Sequence, residues 1–190
     1  VTPEIGALYR YALEDGALRT GAARALAAAS PDQAIEPLKR FLTGDDAGMA
    51  ALAVELLGKI RTEGAADALA SGLGLGKADL EEKIHAALLV IGEKAVFPLV
   101  ARIATREEPL RLAVIAALVA LGDKSIPALV NALDDPGTRP VAGVVLARIG
   151  VRTGLPALVE NLKRDDPAIR TLTVEALGRR AIGLVYDAAR

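Results

Sequence analysis

The chain has 190 residues with 23 basic and 24 acidic side chains, no cysteine, no tryptophan and a single histidine, His85. Near-zero net charge gives no general attraction to a polyanion, and no nucleic-acid partner is expected. The missing residues exclude a disulfide framework, a thiolate zinc site, a cysteine nucleophile and any metal centre that needs several histidines. Apolar residues make up 52% of the chain and aromatics only 3%, which leaves Ala, Leu, Val and Ile to build the core and favours helices.

The lack of cysteine suits a reducing compartment, and the expected location is cytoplasmic. No basic segment followed by a hydrophobic one opens the chain, so no signal peptide is read. The longest unbroken apolar stretch, Leu112 to Gly122, falls short of the roughly 18 residues of a membrane span, and no membrane partner is expected. Val1 stands where a complete chain would start with Met, as in a piece cut from a longer array.

Taken in chain order, the predicted elements repeat. A first unit, residues 2–30, holds leucine-anchored stretches around Leu8 and Leu26. The units 31–61, 62–92, 93–122, 123–150 and 151–181 follow, anchored on Leu38 and Leu57, Leu69 and Leu88, Leu99 and Leu118, Leu129 and Leu146, and Leu158 and Leu177. Residues 182–190 form a C-terminal cap or a partial seventh repeat. The kinship is visible by eye: Ile126-Pro127-Ala128-Leu129-Val130 returns as Leu155-Pro156-Ala157-Leu158-Val159.

Each stretch has helical spacing; around Leu118, for instance, apolar residues recur at Val114, Ala117 and Leu121. Helix starts are marked by Glu107-Glu108-Pro109, Asp134-Asp135-Pro136 and Asp165-Asp166-Pro167, and helix ends by Gly58, Gly92, Gly122 and Gly150. Prolines 37, 98, 127 and 156 stand near the start of each first helix. Two short antiparallel helices cannot bury their apolar faces alone, so pairs must stack. The expected fold is all-α, an α-solenoid or superhelix of about six stacked antiparallel helix pairs in a single domain spanning 1–190.

The recurring phrase of an acidic residue, Pro, x-x-Arg-x-x-Ala-x-x-Ala-Leu-x-x-Ile/Leu-Gly and then Ile/Leu-Pro-Ala-Leu-Val resembles the short HEAT repeat of the phycobilisome-lyase-like class over residues 2 to 180. In each of four units an arginine stands seven residues before the second-helix leucine: Arg19, Arg111, Arg139 and Arg170. Asp15, Glu107, Asp135 and Asp166 stand four residues before them, a spacing that pairs charges on a helix surface. The resemblance implies that such arginines also reach the next repeat, and this ladder is read as structural.

Chemical constellations are sparse. Glu82-x-x-His85 is half of a di-iron signature, but no second histidine exists to complete it, so His85 is expected beside a helix interface and no metal site is assigned. The segment Gly72-Leu73-Gly74-Leu75-Gly76-Lys77 lacks the first glycine and the Ser/Thr of a phosphate loop and is read as a flexible link or hinge. No catalytic residues and no cofactor are assigned.

What remains is surface. Counting from the second-helix leucine, positions −6, −2, +1 and +2 lie opposite the buried stripe. The resemblance implies that this side lines a concave face. In the middle units these positions hold Ala86, Leu89 and Val90, then Leu112, Ala116, Val119 and Ala120, then Pro140, Val144 and Ala147, where an ordinary amphipathic helix carries charge. Towards the ends they turn polar, at Glu55 and Lys59, Arg148, Glu175 and Arg179. An apolar strip rimmed by charge suits a non-catalytic scaffold or adaptor that binds a protein or peptide. The resemblance alone also suggests a bilin lyase or chromophore-maturation helper, and nucleic-acid binding stands third. Apolar end repeats offer a route to self-association.

Overall fold

A computed structural model describes residues 5, 7–8, 18–150 and 154–188, with side chains as far as Gly178. Its helices are α1 (Arg19–Ala29), α2 (Pro31–Thr43), α3 (Ala47–Ile60), α4 (Glu63–Ala70), α5 (Ala78–Ile91), α6 (Val96–Val100), α7 (Glu108–Leu121), α8 (Ile126–Asn131), α9 (Arg139–Ile149), α10 (Leu155–Asn161) and α11 (Pro167–Ala188). Short 3-10 turns, Gly92–Ala95 and Gly122–Ser125, lead into α6 and α8. No strand occurs among the described residues.

The helices form two layers. In one, α1, α3, α5, α7, α9 and α11 each pack on the next; in the other, α2, α4, α6 and α8 do the same, and α10 is held by α9 and α11. This is an α-solenoid. The anchor leucines 26, 38, 57, 69, 88, 99, 118, 129, 146 and 158 are all buried in one continuous core between the layers. Residues 182–188, read as a cap or the opening of a seventh repeat, continue α11 as one helix.

Local chemistry explains most helix ends. Asp46 accepts from Met49 N at the start of α3 and Thr62 from Ala65 N at the start of α4, each satisfying a first-turn donor. Gly92, Gly122 and Gly150 end α5, α7 and α9 with positive φ, at 74°, 58° and 100°. Gly58 does not end a helix: α3 runs on to Ile60, and Arg61 takes the left-handed position at φ 53°. Gly58 is used for packing instead, since a Cβ there would stand 3.3 Å from the Ala87 Cβ of α5. Pro37 likewise lies inside α2, which starts earlier, at Pro31.

The glycine-rich link between α4 and α5 is packed rather than free. A Cβ on Gly72 would meet Ile84 Cδ1 and Leu42 Cδ2 at 2.8 Å, and one on Gly74 would meet Leu110 Cα at 2.6 Å. Leu73 is buried, and Lys77 Nζ donates to Gly44 O at 2.7 Å. The link therefore bridges the units on either side of it: Gly72 and Gly74 serve close approach, while Gly76, with nothing within 4 Å of a Cβ, supplies a positive φ of 73°.

Residues 108–131 are long and apolar enough, by length and composition, to cross a membrane. The count of unbroken apolar residues missed this because Asp123 and Lys124 interrupt the run. In the fold those two residues mark a break: the chain turns at Gly122, and α7 and α8 enter different layers.

Gly74→Ala is expected to destabilise the protein by roughly 2 kcal/mol or more, because a strained φ adds to a backbone clash. Gly122→Ala, where a Cβ would have nothing within 4 Å, should cost about 1 kcal/mol, and chemical denaturation of the two variants checks the order.

Candidate functional site

The arginine ladder is present in a different form from the one expected. Asp135 and Asp166 turn their carboxylates to nearby backbone donors, Gly137 N at 2.8 Å for the first and Ala168 N and Ile169 N at 2.9 and 3.2 Å for the second. For Asp166 these are first-turn N–H groups, unpaired donors at the positive end of the helix dipole, whereas Asp135 closes a turn just ahead of α9, which starts only at Arg139. The arginines of these two units go to carbonyls in the turn that follows the preceding helix. Arg139 Nε donates to Leu133 O at 2.6 Å, and Arg170 Nη1 donates to Arg164 O at 2.5 Å. Arg139 also reaches the next unit, at 3.7 Å from Glu160. Arg111 is buried, and its Nε has no acceptor among the described residues; Glu107 makes no side-chain cap to α7. Arg19 lies over the Phe41 ring at 5.8 Å. Asp15 lies outside the described residues.

His85 occupies a helix interface. Its Nδ1 is 2.9 Å from Glu81 O on its own helix, and its Nε2 is 3.1 Å from Ala113 O on α7. With both nitrogens facing backbone carbonyls, the ring stitches α5 to α7. Among the described residues no group of three or more His, Asp or Glu side chains is placed to hold a metal ion.

On the outer face of the second-helix layer, Ala86, Leu89 and Val90 of α5 and Leu112, Ala116 and Ala120 of α7 are exposed, and Val119 is half-buried. Leu89, Val90 and Leu112 keep 41, 53 and 43% of their surface, which decides that they are not core. The strip stops there. Pro140, Val144 and Ala147 of α9, placed on the same face by their spacing, are buried. The reason is local: a Cβ on Gly143 would meet Ala157 Cβ at 2.8 Å, and one on Gly154 would meet Gly143 O at 2.8 Å. Glycine on both sides lets α9 sink towards α10, while α7 and α11 close over its flanks.

Ion pairs bracket the strip. At one end Glu55 of α3 takes Lys59 Nζ at 2.6 Å and Arg24 of α1 at 3.3 Å. At the other, Arg148 Nη2 of α9 lies 3.1 Å from Glu175 of α11. The hydrogen bond from Lys59, then that from Arg24, and their charges hold the Glu55 carboxyl below the ordinary carboxylate range. The Arg179 side chain lies outside the described residues.

Residues 18–44 and 110–135 match the model of the PBS lyase HEAT-like repeat family. These two stretches are HEAT-like repeats. Each match runs from the second helix of one pair into the first helix of the next, α1 into α2 and α7 into α8, so the family's unit is the same array cut half a repeat out of phase. No curated protein matches the sequence. Among solved structures, the crystal structure of an engineered protein from the Northeast Structural Genomics Consortium is 18% identical, with 96% of this chain and 98% of that one covered and a TM-score of 0.44.

The HEAT-like array also exposes apolar residues on its first-helix layer that the sequence reading passed over. Phe97 of α6 is 69% exposed, with Val130 of α8 and Val159 of α10 also open. A signal was available: two residues before the anchor leucine, where Phe97 stands, the other first helices carry Glu36, Asp67, Pro127 and Pro156. That layer is joined by Asp67, whose carboxylate meets Arg102 at 2.7 Å and Lys39 at 3.8 Å.

Leu112→Asp is expected to change stability by less than about 1 kcal/mol, as for an open helix position, while Val144→Asp, placed on the same face by its spacing, should cost several kcal/mol by burying an unpaired charge. Equal losses in thermal unfolding would refute this assignment of surface and core. The Glu55 carboxyl should titrate below the ordinary carboxylate range in carbon-detected NMR, and Lys59→Ala should raise its midpoint more than Arg24→Ala does. Since the folded value is depressed, the link is complete above the unfolded value and is lost as pH falls through the folded one.

Proposed function

We propose that this helical repeat scaffold binds a protein or peptide along the second-helix face, with α5 and α7 supplying the contact. One observation carries the reading: between the Arg24–Glu55–Lys59 cluster and the Arg148–Glu175 pair, the two slots that hold charge at both ends, two residues before and two after the anchor leucine, hold Ala86, Val90, Ala116 and Ala120, with Leu89 and Leu112 exposed beside them. Folding alone does not call for apolar side chains there, because the buried stripes of α5 and α7 are already complete with Ile84 and Leu88, and with Val114, Leu118 and Leu121. The flanking charges named in the sequence reading are largely committed to each other, so their role is to hold neighbouring helices in register beside the strip. A chromophore-maturation role would need acid/base groups, and the one histidine has both ring nitrogens against backbone carbonyls.

Short peptides selected against the intact chain from a random display library should lose at least about tenfold in affinity with Leu112→Asp. They should be indifferent to Phe97→Asp on the opposite face. Binding that follows Phe97 instead would move the site to the first-helix layer.

A further inference from the structure

A cleft of about 540 Å³ opens between α3 and α5 where the apolar strip meets its charged end. Its floor is apolar and shallow, made by Val54, Gly58 and Ala87, because Gly58 lets the two helices approach closely. Val90 joins it to the exposed part of α5. Its rim carries Lys59, Arg61 and Lys83 against one carboxylate, Glu55. That carboxylate is already taken by Lys59 and by Arg24. Neither Arg61 nor Lys83 has a side-chain ion-pair partner among the described residues. Along the same pair of helices, a second cleft at their N-terminal ends is lined by Asp45 and Asp79 together with Lys77 and Lys83, so the positive excess belongs to the first.

We propose that this cleft selects the partner: it receives an aspartate or glutamate of a peptide whose neighbouring apolar side chains lie on Val90, Leu89 and Leu112. Uncommitted cations above an apolar floor favour a carboxylate next to aliphatic or aromatic residues, and they disfavour a basic segment, which would set like charges together. The fall from a positive excess in the first cleft to balanced charge in the second also sets the direction in which such a peptide lies, with its acidic end at the C-terminal end of α3. The inference rests on the binding reading given above and deepens it.

The probe is the set of peptides recovered from a random display library with the intact chain, synthesised and titrated by fluorescence anisotropy. The expected result is enrichment of Asp or Glu beside Leu, Ile, Val or Phe, with affinity falling as salt is raised. Lys83→Glu should weaken these peptides about tenfold, and replacing the peptide's acid by lysine should restore binding to that variant. Lys83→Gln, which removes the charge without reversing it, should fall between, and circular dichroism confirms that both variants stay helical. Recovered peptides without acidic residues, or acidic peptides whose affinity Lys83→Glu leaves unchanged, would overturn the inference. If Leu112→Asp abolishes binding while Lys83→Glu does not, the strip stands and the acidic preference falls. If neither variant matters, or no peptide is recovered, both readings fall.

Discussion

No unit of this chain can bury its own leucines, so contact between units is the fold. A pair of helices of 5 to 14 residues, such as α6 and α7, presents apolar surface on more sides than one partner helix can cover. Burial of Leu99 and Leu118 therefore depends on neighbours before and behind. The seams between units show the consequence. They are lined by Ala and Gly, which bring helix backbones close, and three polar side chains find partners across the seam: His85 faces Ala113 O, Lys77 reaches Gly44 O, and Asn161 Nδ2 donates to Pro140 O at 2.8 Å. A buried polar group left unpaired costs about 1–3 kcal/mol, so these bonds also fix which unit may sit next to which.

That dependence explains what could be read from the sequence. Helices and their stacking follow from the leucine spacing, because the same residues that mark the period are those that must be covered. Asp166 before Pro167 starts α11 and Gly122 ends α7, as their local chemistry dictates. Residues serving a seam are harder to recognise, since their partners lie some 30 positions away. Gly58 looks like a helix end, and only its approach to Ala87 shows it to be a contact. The same holds for Gly72 and Gly74, which look like slack and are tight. The acid-to-arginine spacing is real, yet free backbone donors at or just before the helix start and free carbonyls in the turn after the preceding helix compete for both partners and win.

The candidate surface was legible in the same uneven way. A helical wheel places Leu112 and Val144 alike, because it sees one helix at a time. What separates them is depth. Two glycines, Gly143 and Gly154, let α9 settle towards α10, and that motion buries a face which the wheel draws as open. The apolar character of α9 is thus a packing requirement, whereas that of α5 and α7 is not, and the same residue types carry opposite meanings two helices apart. Local patterns that fold stability does not demand are where function is best sought.

The small size of the exposed side chains constrains how any partner must bind. Alanine offers little apolar area, and at about 25 cal/mol per Å² Ala86, Ala116 and Ala120 together contribute less than one well-buried leucine or two. Leu89, Val90 and Leu112 are only partly open, so no single helix presents an anchor large enough to offset the entropy lost on association. Affinity must accumulate across α5 and α7 at once, which requires the two helices to be held in register before the partner arrives. His85, whose ring nitrogens face Glu81 O of α5 and Ala113 O of α7 beneath that surface, does this, while the ion pairs at the two ends tie α1 to α3 and α9 to α11 on either side. The rigidity of the seam and the usefulness of the surface are therefore one property of the stacking, and loosening the seam should weaken binding even where no contact residue is changed.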